Sequence, residues 1–476
     1  MEETRMLTYP MEEAKGESMY EYLYRCIKND ILNRTLQPGE KLPSKRTFAK
    51  NLKVSVITIE NAYAQLLVEG YIYSVEKKGY FVANISEQAV TVTRQQPIKP
   101  EPRQEKKENP LFADFISNSV SSTQFPFSVW TKLQREVIAS ISSEVMLAAA
   151  PAGGVWTLRN AIAAHLYQFR GMSVDANQII IGAGTEYLYH ILIQLLGREW
   201  IYAVEEPGFT KITKVYQSNG VTCAHILMDE AGIGLAELEK SGADILHISP
   251  SHHFPTGIVM PISRRYELLS WASKGESRYI IEDDYDCEFR MDTKPVPTLQ
   301  SIDVMEKVIY MNTFSKSLAP SFRISYMVLP KHLMKRYYEK LGFYSCTVST
   351  FEQYTLAEFI ERGYFEKHIN RMRNYYRGKR DVIMAQFENS KLASRIQIRE
   401  EDAGLHFLLT VETGLSDAEV ENRAKEKGIG VYSLSRYYYK KENAGEHVFV
   451  INYSGVDDEK IAEAVERLEK VFDKGK

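Results

Sequence analysis

The sequence predicts two folds in one chain: an α/β domain whose mostly parallel sheet is covered by helices, and before it a small domain of three helices and a β-hairpin. The large domain is predicted by short apolar runs that alternate with stretches of helical period, each run ending in a chemically distinctive residue. QIIIGAGTE ends at Gly184-Thr185, YAVEEPGF at Phe209, ILHISPSHH at Ser251, YIIEDDY at Tyr285 and VIYMNTFSK at Lys316. The small domain is predicted by a different pattern over the first hundred residues, and a length of 476 residues suits one small and one large domain.

In chain order, Tyr20 to Leu36 reads as a helix, PSKRTFAKNL as a short helix capped by Ser44, and KVSVITIENAYAQLLVEG as a turn into a third helix. The third places Ile59, Ala62, Tyr63, Leu66 and Leu67 on one apolar face, and Gly70 ends it. YIYSVEKKGYFVAN then alternates apolar residues around Lys78-Gly79, the pattern of a hairpin. Three helices and a hairpin make a winged helix-turn-helix, in which the start of the third helix reaches base edges in the major groove while basic groups hold phosphates. Ser55, Val56, Ile57, Thr58 and Asn61 take the outward positions at that end. Lys41, Lys45, Arg46, Lys50 and Lys53 form a local basic face without an acidic residue, on a chain whose formal net charge is only −3. Lys45 and Arg46, with Lys77 and Lys78 of the hairpin, complete the expected DNA-contact set.

VTRQQPIKPEPRQEKKENP, Val92 to Pro110, lacks apolar periodicity and is rich in proline and charge. Residues 85–112 are therefore expected to tether the small domain, 1–84, to the large one, 113–476. No transmembrane run is evident, and the start MEETRMLTYPMEE lacks the basic and apolar regions of a signal peptide. Cys26, Cys223, Cys287 and Cys346 form no C-x-x-C pair, which predicts free thiols in a reducing cytoplasm.

In open sheets of the predicted kind, ligands bind beyond the carboxyl ends of the strands, so the distinctive residues gather on one rim. YIIEDD reads as a buried strand running out into a loop, where residues two apart share a face; Asp283 then faces with Tyr285, and Asp284 points away. An amine on Lys316, a carboxylate on Asp283 and a phenol on Tyr285 are the groups pyridoxal phosphate needs for a Schiff base, its pyridinium nitrogen and its ring oxygen. GAGTEYLYHILIQLLG sets Gly184 and Thr185 at the start of an amphipathic helix, where backbone N–H groups and the helix dipole favour a phosphate. Ser315 can add a hydroxyl and Arg323 a guanidinium. His252 and His253 invite a metal reading, but no acidic or cysteine partner has ligand spacing, so no metal is expected; His165 and His406 read as packing groups. The end of the chain, from GLHFLLTV to the helix at Asp457, reads as a smaller α+β subdomain that closes over the site.

Both patterns resemble known families. LPSKRTFAKNLKVS and LLVEGYIYSVEKKGYFV, in that order, resemble the GntR winged helix over residues 18–83. That family often has arginine directly after the V-S pair; Val56 stands there, which opens an apolar contact such as one to a thymine methyl. Residues from about Phe115 to Lys474 look like a fold-type I aminotransferase, and SPSHHFPTGIVMP, EDDYDCEFR and NTFSKSLAPSFRISY are similar to the versions in MocR-type regulators of the GntR family. The resemblance implies pyridoxal 5′-phosphate on Lys316, with Asp283 and Tyr285 as the Asp-x-Tyr pair and Phe209 as the stacking aromatic, where the family commonly has tyrosine. It implies an effector carboxylate held by Arg436 of VYSLSRYYY and by the basic residue two after the stacking aromatic, here Lys211 where GABA-responsive members have arginine. It also implies a domain-swapped homodimer on paired half-sites of double-stranded operator DNA.

Two functions remain open at this level. The chain is either a transcription factor that uses the aminotransferase fold to sense an amino compound or pyridoxal phosphate itself, or a working transaminase with an autoregulatory DNA-binding domain. Lys316, Asp283 and Tyr285 serve both.

Overall fold

The computed structural model of the protein describes residues 7–14, 16–85, 111–117, 124–291 and 296–473. The chain divides into two compact units, Met1–Lys107 and Glu108–Lys476. The expected tether from Val92 to Pro110 lies outside the described residues.

In the first unit, helices Met19–Leu32, Lys45–Leu52 and Val56–Val68 precede a hairpin of β1 (Ile72–Val75) and β2 (Gly79–Val82). Ser44 and Ser55 cap the second and third helices, their hydroxyls accepting from the N–H groups of Thr47 and Thr58; such caps satisfy donors that the first helical turn leaves open. Ile59, Ala62, Tyr63 and Leu66 are fully buried, as the apolar face requires, and pack on Leu23, Ile27 and Phe48. The first helix stops at Leu32 rather than at the expected Leu36: Arg34 turns the chain with φ 61°, and Leu36 folds back into the core. The hairpin pairs Ile72 with Val82 and Val75 with Gly79, so Lys77 and Lys78 stand exposed at its tip.

The second unit is built on an eight-stranded sheet. After the short β3 (Ala113–Asp114), its strands are β4 (Ile179–Gly182), β5 (Ile201–Glu206), β6 (Thr222–Asp229), β7 (Gly232–Ile233), β8 (Ile245–Ile248), β9 (Tyr279–Asp283), β10 (Val308–Thr313) and β11 (Ser325–Val328). They lie in the order β4-β11-β10-β9-β8-β5-β6-β7. The central strands β6, β5, β8, β9 and β10 run parallel, whereas β11 is antiparallel to β10 and β4, and β7 to β6. Helices cover both faces, which explains why β8, β9 and β10 are buried along their whole length.

Four further strands, β12 (Ile396–Arg399), β13 (His406–Val411), β15 (Tyr432–Ser433) and β16 (Val448–Asn452), form the antiparallel sheet of the smaller subdomain in the order β12-β13-β16-β15. Its core packs Phe407, Leu409, Phe449 and Ile451 against Leu468 and Phe472 of the helix Ile461–Phe472. Between β13 and β15, β14 (Ile429–Gly430) pairs in parallel with β3, which ties the start of the unit to its end. Among the described residues all four cysteines are free, and no helix is long and apolar enough to cross a membrane.

Candidate ligand pocket and nucleic-acid interface

The carboxyl ends of β4, β5, β8, β9 and β10 open on one pocket of about 530 Å³. Lys316, Asp283, Tyr285, Phe209, Thr185, Ser315, Arg323 and Lys211 all line it. The rim rule applied to the sequence thus brings residues from four of its five runs together, whereas Ser251, at the end of the remaining run, accepts from Arg170 Nη2 at 2.9 Å and does not line the pocket.

Asp283 ends β9, opposite Met311 of β10, and is buried. Its Oδ2 accepts the Tyr189 hydroxyl at 2.5 Å, and His247 Nε2 lies 3.6 Å from the same atom. Its Oδ1 is buried with no hydrogen-bond partner among the described residues. Leaving a buried acceptor unsatisfied costs about 1–3 kcal/mol, so this oxygen fits a ligand N–H. Asp284 points to the other side, where its Oδ2 takes Arg170 at 2.9 Å and the Tyr310 hydroxyl at 2.7 Å. The period of two in a strand separates the two carboxylates into a ligand-facing and a structural one.

Lys316 sits in the single-turn helix Phe314–Ser317 that follows β10, and Thr313 Oγ1 caps it by accepting the Ser315 N–H at 3.2 Å. Burial pushes the Lys316 ammonium down to about 8, with Asp286 pulling the other way. Burial pushes the Tyr285 phenol well above its ordinary range, and its hydroxyl stands 3.3 Å from His252 Nδ1, which in turn contacts Asp286 Oδ2 at 2.8 Å.

Gly184 precedes the helix Thr185–Leu196 with φ 93° and ψ 161°, a conformation open essentially to glycine. A Cβ built on it would stand 2.4 Å from Arg323 Nη2, so the missing side chain is what lets the guanidinium lie against the helix start. Arg323 itself adopts φ 52°. Helix N–H groups, a guanidinium, and the Thr185 and Ser315 hydroxyls make a cup with the donor set of a phosphate site.

Several lining residues went unassigned in the sequence. Tyr189 lies one helical turn after Thr185, on the same face, and that spacing was the available signal. Glu205, near the end of β5, is buried and accepts the Ser249 N–H at 3.0 Å; its Oε2 is 3.4 Å from His253 Nε2. Burial raises its carboxyl to about 8, against the Ser249 bond, and lowers His253 to about 3. Glu186 pairs with Lys211 and, at 3.2 Å, with Arg323. Phe209 lines the pocket edge-on to Phe254, their ring centres 5.9 Å apart.

Arg436 does not join these groups. Its Nε donates to Glu421 Oε2 at 2.7 Å and its guanidinium lies 4.2 Å over the Tyr432 ring, while Tyr437, Tyr438 and Tyr439 line the pocket instead. The turn Leu434–Tyr437 carries the arginine away because an acid on the helix Asp417–Glu426 and an aromatic face both compete for it.

On the small unit, Ser55, Val56, Ile57 and Asn61 are exposed at the start of the third helix, with Ile57 at 67 % exposure, and Thr58 is half-buried through its 2.8 Å contact with Ser55 Oγ. Val56 and Ile57 thus leave apolar surface at that end of the helix. Arg46 is exposed, as expected. Lys45 is half-buried, 2.6 Å from Glu60 Oε1 and over the Tyr80 ring, so its charge is already matched within the unit.

Residues 19–82 match the family described as bacterial regulatory proteins, gntR family, and residues 117–468 match aminotransferase class I and II. The chain is 38 % identical to the uncharacterized HTH-type transcriptional regulator YdeL of Bacillus subtilis (strain 168), over 95 % of this chain and 96 % of the relative. It is 30 % identical to the probable rhizopine catabolism regulatory protein MocR of Rhizobium meliloti, over 95 % of this chain and 94 % of the relative. The HTH-type pyridoxine biosynthesis transcriptional regulator PdxR of Corynebacterium glutamicum is 27 % identical over 87 % of each chain. In fold, a kynurenine aminotransferase of Pyrococcus horikoshii superposes with a TM-score of 0.68 at 23 % identity, over 82 % of this chain and 96 % of that one. With both families in this order along one chain, and with regulators of the same make-up matched over nearly its whole length, the chain belongs to the MocR-type transcriptional regulators of the GntR family.

Proposed function

We propose that this regulator holds pyridoxal 5′-phosphate in the large unit's pocket, reads an amino compound or the cofactor itself there, and changes its hold on double-stranded operator DNA in response. The observation that carries the reading is the buried Oδ1 of Asp283, which has no hydrogen-bond partner among the described residues, in the pocket that Lys316 also lines. When bound, pyridoxal phosphate supplies an aldehyde that amines can compete for and a ring that withdraws electrons.

The chain supplies the rest. Asp283 offers a fixed negative charge to the ring nitrogen, with Tyr189 holding its second oxygen in place. Lys316, lowered to about 8, keeps a neutral, nucleophilic fraction near neutral pH. Tyr285 offers its phenol to the ring oxygen, Phe209 a ring face, and Gly184, Thr185, Ser315 and Arg323 hold the phosphate. Such a site supports at least half of a transamination. The matched relatives are named as regulators, which favours sensing over metabolic turnover. Sensing requires that the effector bind two conformations unequally, since equal affinity shifts nothing. On the DNA side, Ser55, Val56, Ile57, Thr58 and Asn61 read bases, and Arg46, Lys77 and Lys78 hold phosphates, in a homodimer that binds paired half-sites.

The test is the visible absorbance of the protein loaded with pyridoxal phosphate, followed through a panel of amines alongside binding of labelled operator DNA. A visible band that one compound shifts, with a parallel change in DNA affinity, is expected. Lys316→Ala should lose the band and keep basal DNA binding. An effector response that persists in Lys316→Ala would overturn the proposal.

A further inference from the structure

Of the two cations that family resemblance assigns to an effector carboxylate, each is held by a carboxylate of the chain itself. Arg436 is taken by Glu421 and the Tyr432 ring, outside the pocket. Lys211, in the first turn of the helix Thr210–Ser218, is paired with Glu186 inside it. Glu186 comes from the first turn of the phosphate-cup helix and spans two cations, Oε1 on Lys211 and Oε2 3.2 Å from Arg323. Its carboxyl is held below its ordinary range, first by the hydrogen bond from Lys211.

A phosphate in the cup offers Arg323 a dianion that outcompetes a monoanionic side chain. Glu186 then has Lys211 as its remaining partner of the two. An incoming carboxylate at Lys211 would have to displace Glu186 or sit beside a like charge, and like charges at such range repel.

We propose that Glu186 is a specificity-determining residue that occupies the place of an effector carboxylate, so that the site selects amines that carry no carboxylate. The inference rests on the reading of the pocket as a pyridoxal phosphate site.

The test compares matched ligands that differ only by a carboxylate, ethylamine against alanine and propylamine against 4-aminobutyrate. Each is titrated into the full-length protein loaded with pyridoxal phosphate, and the apparent Kd is read from the visible absorbance. The wild type should bind each amine at least as tightly as its carboxylate counterpart. Glu186→Gln frees Lys211, and because the pair is partly exposed it should improve the carboxylate members by roughly two- to fivefold relative to the amines. The double variant Glu186→Gln/Lys211→Gln should lose that gain, which ties it to Lys211 rather than to a general rearrangement. A wild-type preference for the carboxylate members, an unchanged ratio in Glu186→Gln, or a gain that survives in the double variant overturns the proposal. If no visible band forms in the wild type, the cofactor reading falls and this inference with it; a normal band with an unchanged ratio sinks the inference alone.

Discussion

Replacing Gly184 by alanine separates the proposed phosphate cup from the rest of the pocket. The new Cβ would stand 2.4 Å from Arg323 Nη2 and 2.8 Å from its Cζ. Ordinary contact between such atoms begins near 3.5 Å, so the guanidinium must retreat by about 1 Å. Because the obstacle is the far end of a flexible side chain, the fold accommodates it; the cup does not. The backbone adds a second cost, since φ 93° and ψ 161° belong to a region that side chains avoid, and holding alanine there costs about 1–3 kcal/mol of stability. Moving Arg323 off its line removes a hydrogen bond to a charged group, about 1.5–3 kcal/mol, which is roughly ten- to hundredfold in affinity. The assay is equilibrium titration by visible absorbance with pyridoxal 5′-phosphate and, in parallel, with pyridoxal, which lacks the phosphate. Gly184→Ala should weaken the phosphorylated ligand by that factor and leave pyridoxal nearly unchanged. Equal losses for both ligands would mean that Gly184 supports the pocket as a whole, and the cup assignment would be refuted.

Asp283→Asn keeps the shape of the site but removes the charge that the proposed reading sets against the ring nitrogen, so we expect a shifted visible band and weaker cofactor binding; a spectrum identical to wild type would remove Asp283 from that role. Glu205 is, beside Lys316, a pH-sensitive member of the pocket. Its folded carboxyl titrates near 8 against an ordinary 4.5, so its contribution to stability is fully present below pH 4.5 and is lost as pH rises through about 8. Glu205→Gln should therefore gain on wild type in thermal melts of the unliganded protein as pH goes from 5 to 9, and a gap that does not change with pH contradicts the burial argument. On the DNA side, Lys45 already has Glu60 at 2.6 Å, whereas Arg46 is exposed. Arg46→Ala should lower the slope of log affinity against log salt by about one unit, and Lys45→Ala by less; the opposite ranking would show that the Lys45–Glu60 pair opens on DNA.

What the sequence made legible follows one physical division. Apolar residues and backbone positions announce their direction through local periodicity. The period of two put Asp283 with Tyr285 and sent Asp284 away to Arg170, and the period of 3.6 buried Ile59, Ala62, Tyr63 and Leu66. Gly184 was legible because a glycine at a helix start on a strand rim has few purposes. Periodicity could also have found Tyr189, one turn beyond Thr185.

Charged side chains follow another rule. A long flexible arm goes to the nearest opposite charge, and that charge belongs to whichever segment the fold brings near. Arg436 was read from its own segment, but Glu421 on a neighbouring helix decides its direction. Glu186, Lys211 and Arg323 stand on three elements, and nothing in their spacing along the chain states that they meet. Lys45 and Glu60 repeat the pattern across two helices of the small unit. In each case the acid, not the cation, carried the missing information. In a family recognised by its cations, the chain-specific part of ligand and operator choice is therefore to be sought in the carboxylates that neutralise them.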